Sequence, residues 1–478
     1  MSLPSEEAQA IRAGLAALPR AENHKPGAPV EPAQILAVPM HRAALDPDRA
    51  LVVGNRGMGK SFWAHALADP EARRVAAASF RGLGAIDAVL GFNASARADG
   101  PAPTPEAVAD SFTEFGDADA IWRAVLARVV ASRPEITLTI PQSFKEVVGW
   151  VRSHGDELEK ALTKLDDTIH ATGGKLVVVF DALDRLSPDW KSSRLLLTAL
   201  LKRALAAESY RALRLKLFIR RDQFDDPSMF QFPDGSKIKN ARVELEWNAS
   251  ELYALLFKRL AQSPEAKTAF DALLTRLMVG VVPETLPLDK AKALVDAMAG
   301  EFMGTDKKRG RVFSWLPLHL SDARGQVSPR TFLTAWSEAA KYTPAPTDRP
   351  VDHHGILEGV RKASEDRLTE LKEDYWWIGT ALKPLAGQAV PMERQTLESL
   401  WRDDHTVDSI RAEVSKGLVP VDLEAANPEA ALAAALAVIG VLEVRTNGKI
   451  NVPDIFRVEA QIKRRGGVKP PTHSPARS

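Results

Sequence analysis

The chain has 478 residues with 63 Lys+Arg against 62 Asp+Glu, a net charge of +1, which excludes a whole-chain electrostatic nucleic-acid binder and leaves only local patches. It contains no cysteine, so disulfides and thiolate zinc sites are excluded, in keeping with a reducing cytosol and a cytoplasmic location. Its 45% hydrophobic residues support two or three cores at roughly 150 residues per domain, and the 6% aromatic content with abundant alanine points to mostly helical, aliphatic packing.

Met1–Gly14 lacks the apolar centre of a signal peptide. No window holds roughly 18 uninterrupted apolar residues, and the alanine-rich run from Ala430 to Val441 is too short, so no membrane-spanning helix and no membrane partner is expected. Residues 1–45 read as an N-terminal extension wrapping onto the domain that follows. An amphipathic helix (Ala8, Ile11, Leu15, Leu18) leads into a Pro-rich connector (Pro26, Pro29, Pro32, Pro39).

Residues 46–261 read as a nucleotide domain. Leu51-Val52-Val53 is a short buried strand, and it runs into Gly54-Asn55-Arg56-Gly57-Met58-Gly59-Lys60-Ser61, a full G-x-x-x-x-G-K-[ST] phosphate-binding loop. A helix follows, with Phe62 in its first turn and Trp63, Ala66 and Leu67 on one face. Strand, glycine loop and helix together set this apart from a chance glycine-rich turn. The glycines let successive backbone N–H groups aim at phosphate oxygens, and the helix N-terminus adds partial positive charge. The spacing predicts that Lys60 reaches the β- and γ-phosphates of ATP and that Ser61 sets its hydroxyl on Mg²⁺.

Arg74–Phe80 is read as a second strand, and about Gly82–Pro141 as a poorly patterned insertion. That insertion contains the loop signature Ala98-Asp-Gly-Pro-Ala-Pro-Thr-Pro and a helix at Ile121–Val130. Leu158, Ala161, Leu162, Leu165 and Ile169 have helical spacing, ended by Gly173-Gly174. Lys175-Leu-Val-Val-Val-Phe-Asp181 is then an apolar run ending in a carboxylate, the pattern of a central parallel strand and a Walker B element. Asp181 is expected to hold Mg²⁺ opposite Ser61. Asp184 is the candidate to polarise the attacking water; the competing roles are a helix N-cap and a salt bridge to Arg185.

A helix at Asp189–Ala206 leads to the strand Leu215-Lys-Leu-Phe-Ile-Arg220-Arg221-Asp222. An arginine at its end can sense the γ-phosphate, with Arg221 the first choice and Arg220 the second; the alternative is a surface basic pair held by Asp222 or Asp225. Val243–Trp247 alternates and reads as a fifth strand. Asn248 then caps a helix, with Glu251 completing a capping box.

Residues 262–345 read as a helical lid. Its amphipathic segments are Glu265–Val279 and Leu288–Phe302, and Ser328-Pro329 opens a further helix. Lys307-Lys308-Arg309-Gly-Arg311 is a basic loop, either a solvated turn or the source of an arginine for a neighbouring subunit's nucleotide. Residues 346–390 are a linker and a long charged helix at about Gly355–Leu382, whose Tyr375-Trp376-Trp377 cluster reads as core. Residues 391–462 resemble a winged-helix-like module. Helices fall at Glu393–Trp401, Val407–Lys416 and Pro428–Ile439, followed by a hairpin turning on Asn447-Gly448. Residues 463–478 are a basic, Pro-rich tail expected to be disordered.

With these elements in order, the chain resembles the AAA+-related P-loop ATPases of the STAND and KAP type. The resemblance covers about residues 45–345 and rests on Gly54–Ser61, Asp181-Ala-Leu-Asp184-Arg185, Arg220-Arg221-Asp222 and Ser328-Pro329-Arg330. It implies a parallel-sheet α/β core with helices on both faces, hydrolysis served by the second acid and the sensor arginine, and lid contacts to the nucleotide from Pro329 and Arg330. Asp181 is followed by Ala where AAA+ machines usually have Glu, which favours a switch over a processive motor. The layout also looks like ATPases of bacterial anti-phage systems.

Three functions follow from this reading. The first is an ATP-hydrolysing switch whose C-terminal module docks a protein effector or sensor, with a homo-oligomer among the expected assemblies. The second is a DNA-binding regulator. The helix before the hairpin, Pro428–Ile439, carries no basic residue, which argues against base reading, but the tail with Arg445 and Lys449 suits non-specific nucleic-acid contact. The third is a scaffold that binds ATP without hydrolysis. GTP is disfavoured: Thr163-Lys164-Leu165-Asp166 matches a guanine-reading pattern but lies inside an amphipathic helix. His353-His354 lacks partners at metal-ligand spacing.

Overall fold

The computed structural model describes residues 2–18, 30–96, 100–187, 190–280, 286–305, 307–413 and 423–465. The chain divides into two compact units, His24–Glu246, and Met1–Asn23 together with Trp247–Ser478.

The first unit is built on a five-stranded parallel sheet: β1 (Leu51–Gly54), β2 (Ile86–Phe92), β3 (Lys175–Phe180), β4 (Leu213–Arg220) and β5 (Val243–Glu244), in the order β2-β3-β4-β1-β5. Every residue of β1 is buried, as is β3 from Leu176 on, as expected for parallel strands covered on both faces. Because all five strands run the same way, Gly54, Phe92, Phe180, Arg220 and Glu244 end at one edge of the sheet. Trp122, on the helix Ala118–Ala131, fixes that edge. Its ring meets Phe92 edge-on at 6.2 Å and Phe180 at 5.6 Å, and its indole N–H donates to Leu196 O at 2.7 Å. The last residues of β2 and β3 are thereby clamped by one aromatic body.

Two expectations fail here. Arg74–Phe80 is not a strand: Pro70–Ala77 is a helix, capped by the Asp69 carboxylate, which accepts from the N–H groups of Glu71 and Ala72 at 2.9 Å. The second strand is instead β2, inside the stretch read as poorly patterned. Part of the loop at Ala98–Asp99 lies outside the described residues.

The segment before β1 is pinned by His41, which is fully buried. Its Nδ1 accepts from the Trp63 indole at 3.0 Å, so its Nε2–H donates to Glu246 O at 3.1 Å. Burial holds this imidazole down to about 4 from 6.5. The unfolded chain therefore binds a proton that the folded chain refuses, and the stability His41 contributes is complete above pH 6.5 and lost as pH falls toward 4. The loss amounts to about 3 kcal/mol over that window. The measurement is the unfolding free energy from urea titrations across the window: the wild-type profile should slope downward, and His41→Gln should flatten it.

The second unit is helical. Its first helix, Ser5–Ala16, belongs to this unit, whereas the sequence reading assigns it to the nucleotide domain. Ser337 Oγ donates to Ala16 O at 3.2 Å, Leu3 N to Asp348 O at 2.8 Å, and Arg276 pairs with Glu7 at 2.9 Å. Residues 30–45 remain with the first unit, and the connector at 19–29, with Pro26 and Pro29, lies outside the described residues. The helix Ala249–Gln262 also falls in the second unit, capped reciprocally by Asn248 and Glu251 at 3.0 Å. Pro329–Lys341 packs against His353–Asp374. A Cβ on Gly359 would lie 2.1 Å from Ala335 O, so only glycine permits that approach. The long helix stops at Asp374, where Tyr375 leaves the helical conformation, and resumes at Ile378–Leu382; Tyr375 and Trp377 are buried, Trp376 partly so.

The C-terminal helices are Arg394–Asp403, Thr406–Ala412 and Pro428–Val438. A hairpin pairs Glu443–Val444 with Ile450–Asn451, and Met392 bridges Ile450 from the other side. Lys463–Arg464 pairs in parallel with Ala389–Val390, so these two residues, expected in the tail, form a strand. Residues 414–416 of the second expected helix and 466–478 of the tail lie outside the described residues. Among those described, no helix is long and apolar enough to cross a membrane.

Candidate functional site

The site lies at the C-terminal edge of the sheet. β1 delivers the chain into the loop at Gly54, and the loop winds through Gly57 at φ +83° and Gly59 at φ +101° into the helix Lys60–Ala68. A Cβ on Gly59 would meet nothing within 4 Å, so the left-handed backbone itself calls for glycine there. Lys60 Nζ donates to Gly54 O and to Asn55 O, both at 2.9 Å, curling its ammonium over the loop. Met58 is buried, Asn55, Arg56 and Phe62 are half-buried, and the Phe62 ring sits edge-on to Trp63 at 5.4 Å.

Burial pulls the Lys60 ammonium down to about 8 from 10.5. Arg220 adds to the depression, while Asp181, Asp184 and Asp222 oppose it. Four charged groups thus act on Lys60. Asp181 follows β3 and is 3% exposed. Burial pushes its carboxyl above the usual carboxylate range, resisted by hydrogen bonds from the Ser61 hydroxyl and the Ala182 N–H and by the charges of Lys60 and His65. A hydroxyl and a carboxylate meeting at one point are the hard oxygen donors Mg²⁺ prefers, so Ser61 and Asp181 fit the ion.

Ala182 takes φ +55°, a left-handed conformation uncommon for a residue with a Cβ. The chain turns sharply through Leu183–Arg185 and presents Asp184 at the surface. Among the described residues, Asp184 neither caps a helix nor pairs with Arg185. Its Oδ2 lies 3.3 Å from Arg220.

β4 lies between β1 and β3, with Gly54 in register with Arg220. Arg220 is the arginine facing the site. Its Nε donates to Asp222 Oδ1 at 3.0 Å and its Nη1 reaches Asp184. Arg221, the first choice from sequence, turns away: it pairs with Glu244 at 2.6 Å and Asp225 at 3.3 Å and lies over the Phe224 ring. Arg220 closes β4 and Arg221 opens the short helix Arg221–Asp225, so the two side chains leave the backbone in different directions.

Pro329 and Arg330 belong to the second unit. Pro329 is buried at the first position of a helix whose cap, Ser328 Oγ, accepts from Thr331 N at 3.1 Å, and Arg330 pairs with Glu370 at 3.0 Å. Arg311 bridges Glu301 and Asp296. Asp166 of the guanine-like pattern accepts from the backbone N–H groups of Arg211, Ala212 and Leu213, and so anchors the start of β4.

Three residues at this edge escaped the sequence reading. Asn93 follows β2, whose strand was missed. His65 lies four residues beyond Ser61 on the same helix face, a spacing that was legible. Gln223 is 3% exposed behind Arg220.

No protein-family model and no curated protein sequence matches the chain. Among solved structures it is similar to the Walker-type ATPase PABY2304 of Pyrococcus abyssi, at 13% identity and TM-score 0.38, covering 94% of this chain and 99% of that one. It is also similar to the Aeropyrum pernix ORC1 protein in complex with DNA, at 14% identity and TM-score 0.35 over 96% and 93% of the two chains. A third is the Aeropyrum pernix ORC2 protein in ADPNP–ADP complexes, at 12% identity and TM-score 0.29 over 94% and 98%. With every TM-score below 0.5, the chemistry rests on this chain's own residues. Those residues build an α/β P-loop core: parallel sheet, helices on both faces, and a glycine loop opening a helix at the sheet's C-terminal edge.

Proposed function

We propose that the chain binds ATP with Mg²⁺ and hydrolyses it as a molecular switch. The observation that carries this reading is the meeting of Lys60, Ser61, Asp181, Asp184 and Arg220 at one sheet edge, at or just beyond the ends of three adjacent strands. Phosphoryl transfer needs positioning and charge neutralisation more than covalent chemistry, and these residues supply both. Lys60 and Arg220 bind phosphate oxygens, and Ser61 and Asp181 hold the ion, which when bound neutralises charge on the phosphates. Asp184, released from Arg220, accepts the proton of the attacking water. The test is phosphate release by purified protein with Mg²⁺ and with EDTA. Turnover that EDTA abolishes supports the reading; nucleotide bound with no phosphate released under any condition supports the scaffold instead.

For output, we read the C-terminal module as winged-helix-like and as a dock for a protein effector or sensor. The hairpin's cations are matched by nearby acids: Lys449 pairs with Glu393 at 2.7 Å, and Arg445 lies 3.8 Å from Glu443. That charge matching weakens the case for nucleic acid. Duplex DNA binding that survives about 200 mM salt would reverse the order. On the resemblance to STAND and KAP ATPases, we read the switch as a regulatory ATPase of a bacterial defence or signalling complex. Affinity capture from the native host, with and without ATP, tests for a partner.

A further inference from the structure

We propose that Gln223 is a positioning residue that couples Arg220 to the turn carrying Asp184. Gln223 is buried, and both ends of its amide are engaged. Oε1 accepts from the Arg220 backbone N–H at 3.0 Å, and Nε2 donates to Leu183 O at 3.2 Å. Arg220 is the last residue of β4, and Leu183 sits between the left-handed Ala182 and Asp184. One side chain therefore ties the end of β4 to the turn after β3. The Arg220–Asp184 ion pair at 3.3 Å closes the ring through side chains.

This ring has a consequence for the reaction, which rests on the ATPase reading above. A γ-phosphate that attracts the Arg220 guanidinium competes directly with Asp184 for it. If the two backbones were free to drift apart, losing that ion pair would let Asp184 move with its turn. The Gln223 amide holds the backbones together, so the carboxylate is freed in place, at a fixed distance from the phosphate. The same amide also caps the short helix Arg221–Asp225 from its third position. A capping role alone needs only the acceptor, Oε1. Coupling also needs the donor, Nε2.

The two roles separate by substitution. Gln223→Glu keeps the acceptor and, when ionised, lacks the donor; protonated, the introduced carboxyl is again a donor and an acceptor. Gln223→Leu removes both. Coupling predicts that Gln223→Leu lowers kcat about tenfold or more. It also predicts that the kcat deficit of Gln223→Glu shrinks from about pH 8 to about pH 6, as the carboxyl takes up its proton. Thermal midpoints measured alongside correct each rate for the folded fraction. Gln223→Leu with wild-type kcat per folded molecule overturns the proposal, as does a Gln223→Glu deficit equal across that pH range. A wild-type protein that releases no phosphate overturns the hydrolytic reading instead. The variants are then compared by preference for ATP over ADP in equilibrium binding, which coupling predicts to fall in Gln223→Leu and a cap alone leaves unchanged.

Discussion

Replacing Lys60 with alanine is expected to lower ATP turnover by about 10²–10³-fold, the usual cost of removing one preorganised charge from a reacting phosphoryl or acyl group. Lys60 begins the helix at the loop's end, and its ammonium already rests on two loop carbonyls at 2.9 Å, within reach of the place the loop wraps. Its depressed proton affinity adds a second signature. In the free protein Lys60 sheds its proton as pH rises past about 8, while bound phosphate draws the proton back. Nucleotide affinity in the wild type should therefore weaken as pH rises through that point, and Lys60→Ala should show no such slope. Phosphate release and ATP titrations on either side of about pH 8 check both. Turnover of Lys60→Ala at the wild-type rate would remove the loop from the mechanism.

How much of this was legible depends on whether the signal was local. β1 and β3 are buried on both faces, so each reads as an unbroken apolar run ending on its working residue, Gly54 or Asp181. β2 is an edge strand of the same sheet, only partly buried, and it hides its pattern. Asp87 sits at its start, paired with Arg133 at 2.6 Å, and Gly91 near its end, where a Cβ would lie 2.7 Å from Val178 and 2.8 Å from Phe180. The requirement for glycine comes from the neighbouring strand, which no local window contains. The helix at Pro70–Ala77 was legible, since Asp69-Pro70-Glu71 is a cap followed by proline at the first position, and the run Arg74–Phe80 was overread. The helix Ser5–Ala16 shows its apolar stripe plainly, but a stripe does not name the surface that covers it. Here that surface lies hundreds of residues away, at Ala266 and Ser337.

The same limit explains the two arginines, and it sets the sharpest expectation. Arg220→Ala should lower kcat by about 10²-fold, while Arg221→Ala stays within about threefold of wild type. Arg220 has a side chain 12% exposed, on the edge between Gly54 and Asp184, and it depresses Lys60. Removing it leaves Lys60 facing Asp181, Asp184 and Asp222 without Arg220, so the γ-phosphate meets carboxylates without the guanidinium that offsets them. ADP, which has no γ-phosphate, should bind both variants much as it binds wild type. Arg220→Lys should recover only part of the loss, because an ammonium cannot span Asp184 and a phosphate oxygen with the planar fork of a guanidinium. Arg221 is tied to Glu244 and Asp225 instead, in partly exposed pairs whose loss costs about 1 kcal/mol or less of stability and no phosphate contact. Single-turnover phosphate release and ADP titration on the three variants decide the matter. An inactive Arg221→Ala beside an active Arg220→Ala would mean that the end of β4 presents the other face to the nucleotide. Asp184 would then have to do its work without the ion pair that now holds it.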